Sequence, residues 1–236
     1  MKATVLIILT TFYAAICFGQ TDTVFDIKET FVKNIFSRKT ANSFTKQNKY
    51  FFEDENYICF KSCHGEFGGT IIFKNKKSGI EFICDATCPV IVNKFKGNYI
   101  VTTTLRHMSG YSEIFEIENP DSLKQFQDNN IPKTYRPKTN SGKKILLHAS
   151  GVLTLASFVF KDQLYHIITD YEKTFVAKIE NGNFVNVEFI SNINIRTKDT
   201  EVILTNDNHI IVFFNNKVAK GYIDIFQNKI NLTRYR

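Results

Sequence analysis

Two tetrapeptides share one pattern, His107-Met108-Ser109-Gly110 and His148-Ala149-Ser150-Gly151, and His64-Gly65-Glu66 is a looser third copy. Three imidazoles brought to one point can hold Zn²⁺ or another divalent ion with a position left open. His64, His107 and His148 are therefore candidate metal ligands. Glu66 adds a fourth ligand or a general base, and Ser109 joins the set as a candidate ligand-binding residue. No two of these histidines lie at the close spacing of a metal motif. The same residues read equally as strand-end caps, with Ser-Gly making the turn that follows.

Cys59-x₃-Cys63 and Cys84-x₃-Cys88 form the second set. In an oxidising compartment cysteines pair, so all four are disulfide candidates, with buried thiols or a metal site as the alternatives. On a regular strand Cys59 and Cys63 lie about 13 Å apart, too far to bond each other. Each then pairs with Cys84 or Cys88 or stays free. The Asp85-Ala86-Thr87 link also allows Cys84 to meet Cys88, which leaves the first pair unbonded.

Hydrolytic chemistry has fewer handles. No serine sits in a Gly-x-Ser-x-Gly elbow, and no phosphate loop or dinucleotide fingerprint occurs. Glu66, Asp85, Glu113 and Asp170 are candidate acids near strand ends, and nothing in the sequence pairs them. A divalent ion on the histidine set is the one cofactor the residues suggest.

These groups must be positioned by strands. The chain is rich in Phe and has no Trp, and its apolar runs are dominated by β-branched and aromatic residues. Residues 1–19 read as a signal peptide: Lys2, an uncharged apolar stretch, then small Cys17 and Gly19 before Gln20. That run is shorter than a spanning helix needs, and no later one is long enough. The formal charge of +7 is spread over single lysines without a dense basic run, which argues against nucleic acid. A surface that meets anionic glycans or lipid headgroups fits better.

Phe52-Glu53-Asp54-Glu55-Asn56-Tyr57 and Phe95-Lys96-Gly97-Asn98-Tyr99 say nearly the same thing 42 residues apart, Asn to Asn. Phe160-Lys161-Asp162-Gln163 and Thr205-Asn206-Asp207-Asn208 continue the series at spacings of 65 and 45. Each turn opens an apolar run: Tyr57–Phe60, Tyr99–Thr103, Leu164–Ile168 and Ile210–Phe214. These runs are expected at equivalent positions of successive four-stranded units, a β-propeller of four to five blades. The alternative is an antiparallel β-sandwich with evenly spaced hairpins. Residues 20–48 form a cover helix or a closing strand, with helical spacing favouring the helix, and 49–236 the propeller. A proline-bearing loop excursion over about 118–148 opens with Asp121 or Ser122 capping a short helical turn.

Within Gly65–Leu123 the Gly-rich turn, Ala86-Thr87-Cys88-Pro89, Lys94-Phe95-Lys96-Gly97, His107-Met108-Ser109-Gly110 and Asn119-Pro120 resemble secreted β-propeller-like proteins to which no activity is assigned. The resemblance covers about half of the chain after the signal peptide and implies fold and export only. The first functional expectation is an exported, monomeric, non-enzymatic module for a protein or glycan partner. The second is a secreted hydrolase, with or without a metal ion, whose site lies in the central channel.

Overall fold

The computed structural model describes residues 23–46, 49–126, 139–195, 201–215 and 219–236. The expected signal peptide and residues 127–138 of the proline-bearing excursion lie outside these residues. The described chain is all-β, in four sheets that follow one another in sequence. The first sheet contains β2 (Phe52–Glu53), β3 (Tyr57–Cys63), β4 (Gly69–Asn75) and β5 (Glu81–Asp85), with β9 (Lys124–Gln125) on its edge. The second contains β6 (Pro89–Phe95), β7 (Asn98–Leu105), β8 (Tyr111–Ile117) and β10 (Lys144–Ser150). The third contains β11 (Leu153–Phe160), β12 (Gln163–Thr169), β13 (Thr174–Glu180) and β14 (Asn183–Ser191). The fourth contains β15 (Glu201–Leu204), β16 (Ile210–Asn215), β17 (Lys220–Phe226) and β18 (Lys229–Tyr235), with β1 (Asp26–Val32) beside β18. No helix among the described residues is long and apolar enough to cross a membrane.

The four runs marked by the recurring turn are β3, β7, β12 and β16, each the second strand of its sheet. Tight turns with positive φ set these registers: Lys96-Gly97, Lys161-Asp162 and Asn181-Gly182 place both central residues in the left-handed region. That geometry matches the twist of an antiparallel pair. Three of these second strands, β7, β12 and β16, are buried without alternation because sheets cover both faces, whereas β3 alternates and opens to solvent from Phe60 onward. β7 is buried from Tyr99 to Thr104, and β12 from Leu164 to Thr169. β14, last in its sheet, is exposed or half-buried from Asn183 to Phe189 and buried only at Ile190 and Ser191, without the alternation its sequence shows, as its pairing with β13 carries register shifts.

Buried clusters join the first sheet to the second, the second to the third, and the third to the fourth. Between the second and third sheets runs a polar seam. Thr104 Oγ1 donates to the Thr154 carbonyl at 2.8 Å, and Thr102 and Ser157 share a hydroxyl bond of 2.8 Å. Among the described residues no buried cluster joins the fourth sheet to the first. Residues 33–46 lie along the fourth sheet instead, with Phe44 packed edge-on against Phe213 and Tyr222 and Lys46 bridged to Thr205.

Three local expectations are corrected. Of the two forms expected for the N-terminal segment it takes the strand, β1, followed by two 3₁₀ turns, Ile35–Ser37 and Ala41–Ser43, and not the helix that its spacing favours. β1 pairs in parallel with β18, a partner some two hundred residues away in sequence that no local periodicity encodes. The excursion ends at 143, since β10 completes the second sheet, and β9 returns to pair with β5. The cap of its 3₁₀ turn is Asn119, whose side chain accepts the Asp121 N–H at 3.0 Å.

Candidate functional site

Second strands β3, β7 and β12 end at one rim. Cys63, at the end of β3, is bonded to Cys88, which opens β6. Beneath this clasp Gly69 allows a close approach. A Cβ there would lie 2.7 Å from the Ala86 carbonyl and closer still to that of Ser62, so the crowding of glycines has a steric reason here. Cys59 and Cys84 are free and buried, so one pair of the four candidates is bonded. β4 runs between their strands, so the two thiols are held apart in the core of the first two sheets. Burial pushes both thiols up, Cys84 to about 12.

The rim brings some of the suspected histidines to acidic partners. His107 Nδ1 lies 2.9 Å from Glu66 Oε2, which links the loops after β7 and β3. His148 stacks on Tyr111 with ring centroids 4.9 Å apart, and its Nδ1 is 3.8 Å from Glu113 Oε2. Glu113 holds the Lys143 ammonium at 2.6 Å, and Asp170 caps its own turn by accepting the Glu172 and Lys173 N–H groups. The Ser109 carbonyl accepts the Tyr171 hydroxyl at 3.1 Å. His64 caps the 3₁₀ turn Gly65–Phe67 through its backbone. Among the described residues, no group of three or more His, Cys, Asp and Glu side chains is placed to hold a metal ion.

Inward from the disulfide lies a cleft of about 750 Å³ walled by first strands β2, β6 and β15 together with β3 and the end of β7. Four basic side chains line it, Lys46, Lys49, Lys61 and Arg106, against one carboxylate, Glu201, which is bridged to Lys46 at 2.8 Å. Tyr50, Phe51 and Phe52 form an aromatic wall. The Lys61 ammonium donates to the Pro89 carbonyl at 2.7 Å and lies 4.3 Å from the centre of the Phe51 ring. Lys61 as a whole residue is open to solvent, while protein atoms crowd its ammonium. That crowding, with the Arg106 charge adding to it, pushes the pKa down to about 8. The solvent-open position keeps most of this cost out of the stability of the fold.

At the opposite end the recurring turn has a structural task that its spacing alone does not reveal. Asp54 accepts the Tyr57 N–H at 2.8 Å, the Asn56 N–H at 2.9 Å and, from the second sheet, the Tyr99 hydroxyl at 2.7 Å. Lys94 adds an ion pair at 3.1 Å. Burial raises the Asp54 pKa, but these hydrogen bonds outweigh it and hold the carboxyl below its usual range. Tyr57 mirrors the arrangement by donating to Asp121 at 2.9 Å, and burial with this bond pushes its phenol to about 12. Around the cleft between these groups, about 580 Å³, Lys94 is paired with Glu55 and Lys76 with Glu53.

Asp54 is therefore a latch between the first two sheets. Asp54→Ala should cost about 2 kcal/mol, the scale of hydrogen bonds to a charged group, and Asp54→Asn part of that. Its folded pKa lies below the unfolded one. The contribution is full above the unfolded value and disappears as pH falls through the folded one. Urea titrations of both variants at neutral pH and near pH 3 check this. An Ala variant as stable as wild type at neutral pH would remove the latch.

The aromatic-basic cleft was not foreseen among the candidate sites, since its lining comes from segments as far apart as Lys46 and Ile210. No family model, curated protein or solved structure matches this chain.

Proposed function

We propose that the chain is an exported binding protein whose four sheets act as the blades of a propeller, and that the Lys61–Arg106 cleft takes an acidic glycan. The order of the sheets supports the architecture: each contains four antiparallel strands paired in chain order, with β1 and β9 added at two edges, and first strands from three of them wall one cleft. Strand β1 and residues 33–46 then take the place of direct packing between the last blade and the first. A disulfide at the rim accords with export.

The single observation that carries the ligand reading is the lining itself. It has an excess of three positive charges beside three aromatic rings in a space large enough for a short oligosaccharide. Sugar rings present apolar C–H faces to aromatic side chains, and carboxylate or sulfate groups meet Lys49, Lys61 and Arg106. Proteins, the other class of partner, would need a broad flat patch; this cleft is concave and deep.

Calorimetric titration of the folded chain with short sulfated or uronic-acid oligosaccharides tests the proposal, with neutral oligosaccharides of equal length as the reference. The acidic series should bind and weaken with added salt. Because the Lys61 pKa sits near 8, affinity should fall several-fold as pH rises from about 7 to about 9, well before an ordinary lysine discharges. Equal affinity for neutral and acidic sugars, or none for either, would overturn it.

A further inference from the structure

The rim differs from the opposite end in a second respect, independent of the cleft. Among the described residues, five large apolar side chains are more than half exposed: Phe36 at 95 %, Met108 at 84 %, Phe67 at 81 %, Ile35 at 64 % and Tyr171 at 55 %. All five follow strand ends at one end of the molecule. Phe67, Met108 and Tyr171 belong to the connections after β3, β7 and β12. The contacts Cys63–Cys88, Glu66–His107 and Tyr171–Ser109 place those connections side by side. Ile35 and Phe36 follow β1, whose parallel partner β18 runs in the same direction as β16. At the far end the turns Glu55-Asn56, Lys96-Gly97, Lys161-Asp162, Asn181-Gly182 and Gln227-Asn228 are polar, and the turn before β5 adds Ile80 at 39 % exposure, less than any of the five.

Charge follows the same asymmetry. From Phe31 to Phe52 the sequence has no carboxylate, and Lys33, Arg38 and Lys39 flank the Ile35–Phe36 turn, while Lys46 and Lys49 belong to the cleft. The Arg234 and Arg236 guanidiniums lie over the Phe31 ring beside the turn, at 5.0 and 4.1 Å. Of the acids on the rim, Glu66 is tied to His107 and Asp170 to its own turn, while Glu172 beside Tyr171 is exposed and followed directly by Lys173. We infer that this rim, with the Ile35–Phe36 turn at its edge, docks on an anionic lipid bilayer. The apolar tips enter the boundary between headgroups and acyl chains, and the basic residues around Phe36 meet the lipid phosphates. Apolar protrusions ringed by cations are the features that hold peripheral proteins at such surfaces. A protein partner would favour one continuous apolar face, whereas these tips are spaced around an end and separated by polar turns.

The chain has no tryptophan, so Phe36→Trp gives a single reporter at a position where substitution leaves the fold intact. The folded chain and this variant are mixed at low salt with phosphatidylcholine vesicles, alone or with about 30 mol% phosphatidylglycerol. Sedimentation should show roughly tenfold tighter binding to the anionic vesicles. The indole emission of the Phe36→Trp variant should shift to shorter wavelength only with them. Phe36→Ser should weaken vesicle binding roughly tenfold, the scale of one buried aromatic side chain. It should leave the affinity for acidic oligosaccharides unchanged, and Lys61→Met should do the reverse. Absence of binding to anionic vesicles, equal binding to neutral ones, or an unaffected Phe36→Ser variant would each overturn the inference, whatever the fate of the glycan proposal.

Discussion

Replacing Cys63 and Cys88 together by serine should lower the stability of the folded chain by about 3.5 kcal/mol, the loop-closure entropy of a bridge spanning 25 residues. For a chain of this size that corresponds to a fall in Tm of roughly 10 °C. The effect is large because the bridge is not internal to one sheet. It fastens the end of β3 to the start of β6, so the unfolded chain regains freedom across the first two sheets at once. The same bridge forms part of the cleft wall. Affinity for acidic oligosaccharides should therefore fall as well, even at temperatures where the variant is folded. Thermal melts of the oxidised, reduced and double-serine forms check the first part. A difference below about 1 kcal/mol between oxidised and reduced forms would mean that packing alone holds this corner.

Acid should destabilise the protein through one residue in its core. His166 on β12 is fully buried, with Nδ1 bound to Ser157 Oγ at 2.7 Å and Nε2 without a hydrogen-bond partner. Burial pushes its pKa from 6.5 down to about 3. A depressed folded value means that the unfolded chain takes the proton first. Stability is then full above about pH 6.5 and declines as pH falls toward about 3. Near pH 4.5 the loss should reach about 2–3 kcal/mol relative to neutral pH. His166→Leu removes the titration and leaves Ser157 its bond to Thr102. Its stability should change with pH less steeply between 6.5 and 4.5 than that of wild type. Equal slopes in chemical denaturation would assign the acid sensitivity to carboxylates instead.

Much of the sheet order was legible because most strands pair with their neighbours in sequence. Hairpin turns such as Asn181-Gly182 and unalternating runs such as Ile210–Phe214 carry their own signal within a few residues. What escaped was non-local. β1 shows no burial period and is made a strand by β18 alone, and β10 joins its sheet only after a long excursion. The cysteine geometry excluded Cys59–Cys63 from the spacing of a strand, but choosing Cys63–Cys88 required knowing that β4 separates Cys59 from Cys84.

The candidate chemistry divided in the same way. His107 and Glu66 meet, as loops at equivalent strand ends allow, while His148 turns to Tyr111 and Glu113 on its own sheet. Asp54 lay inside the recurring turn and was visible only as a turn residue. Its bond to the Tyr99 hydroxyl depends on two sheets packing together. His166 drew no attention because a histidine within an apolar run has no motif, and its character comes wholly from burial. The cleft gathers lysines that appear scattered along the chain, and only the packing of sheets concentrates their charge.

The most direct measurement on the binding proposal is a paired one, made on wild type and Lys61→Met. Methionine keeps the stem length and removes the charge from a solvent-open position, so Tm should stay close to that of wild type, within about 1 kcal/mol in stability. In calorimetric titrations with a sulfated oligosaccharide at about pH 7, affinity should fall at least tenfold, the scale of one charge-assisted hydrogen bond. The decline in affinity between about pH 7 and pH 9 seen with wild type should disappear in the variant. A variant that folds normally, binds the oligosaccharide as wild type does and keeps the same pH profile would contradict the assignment of this cleft as the binding site.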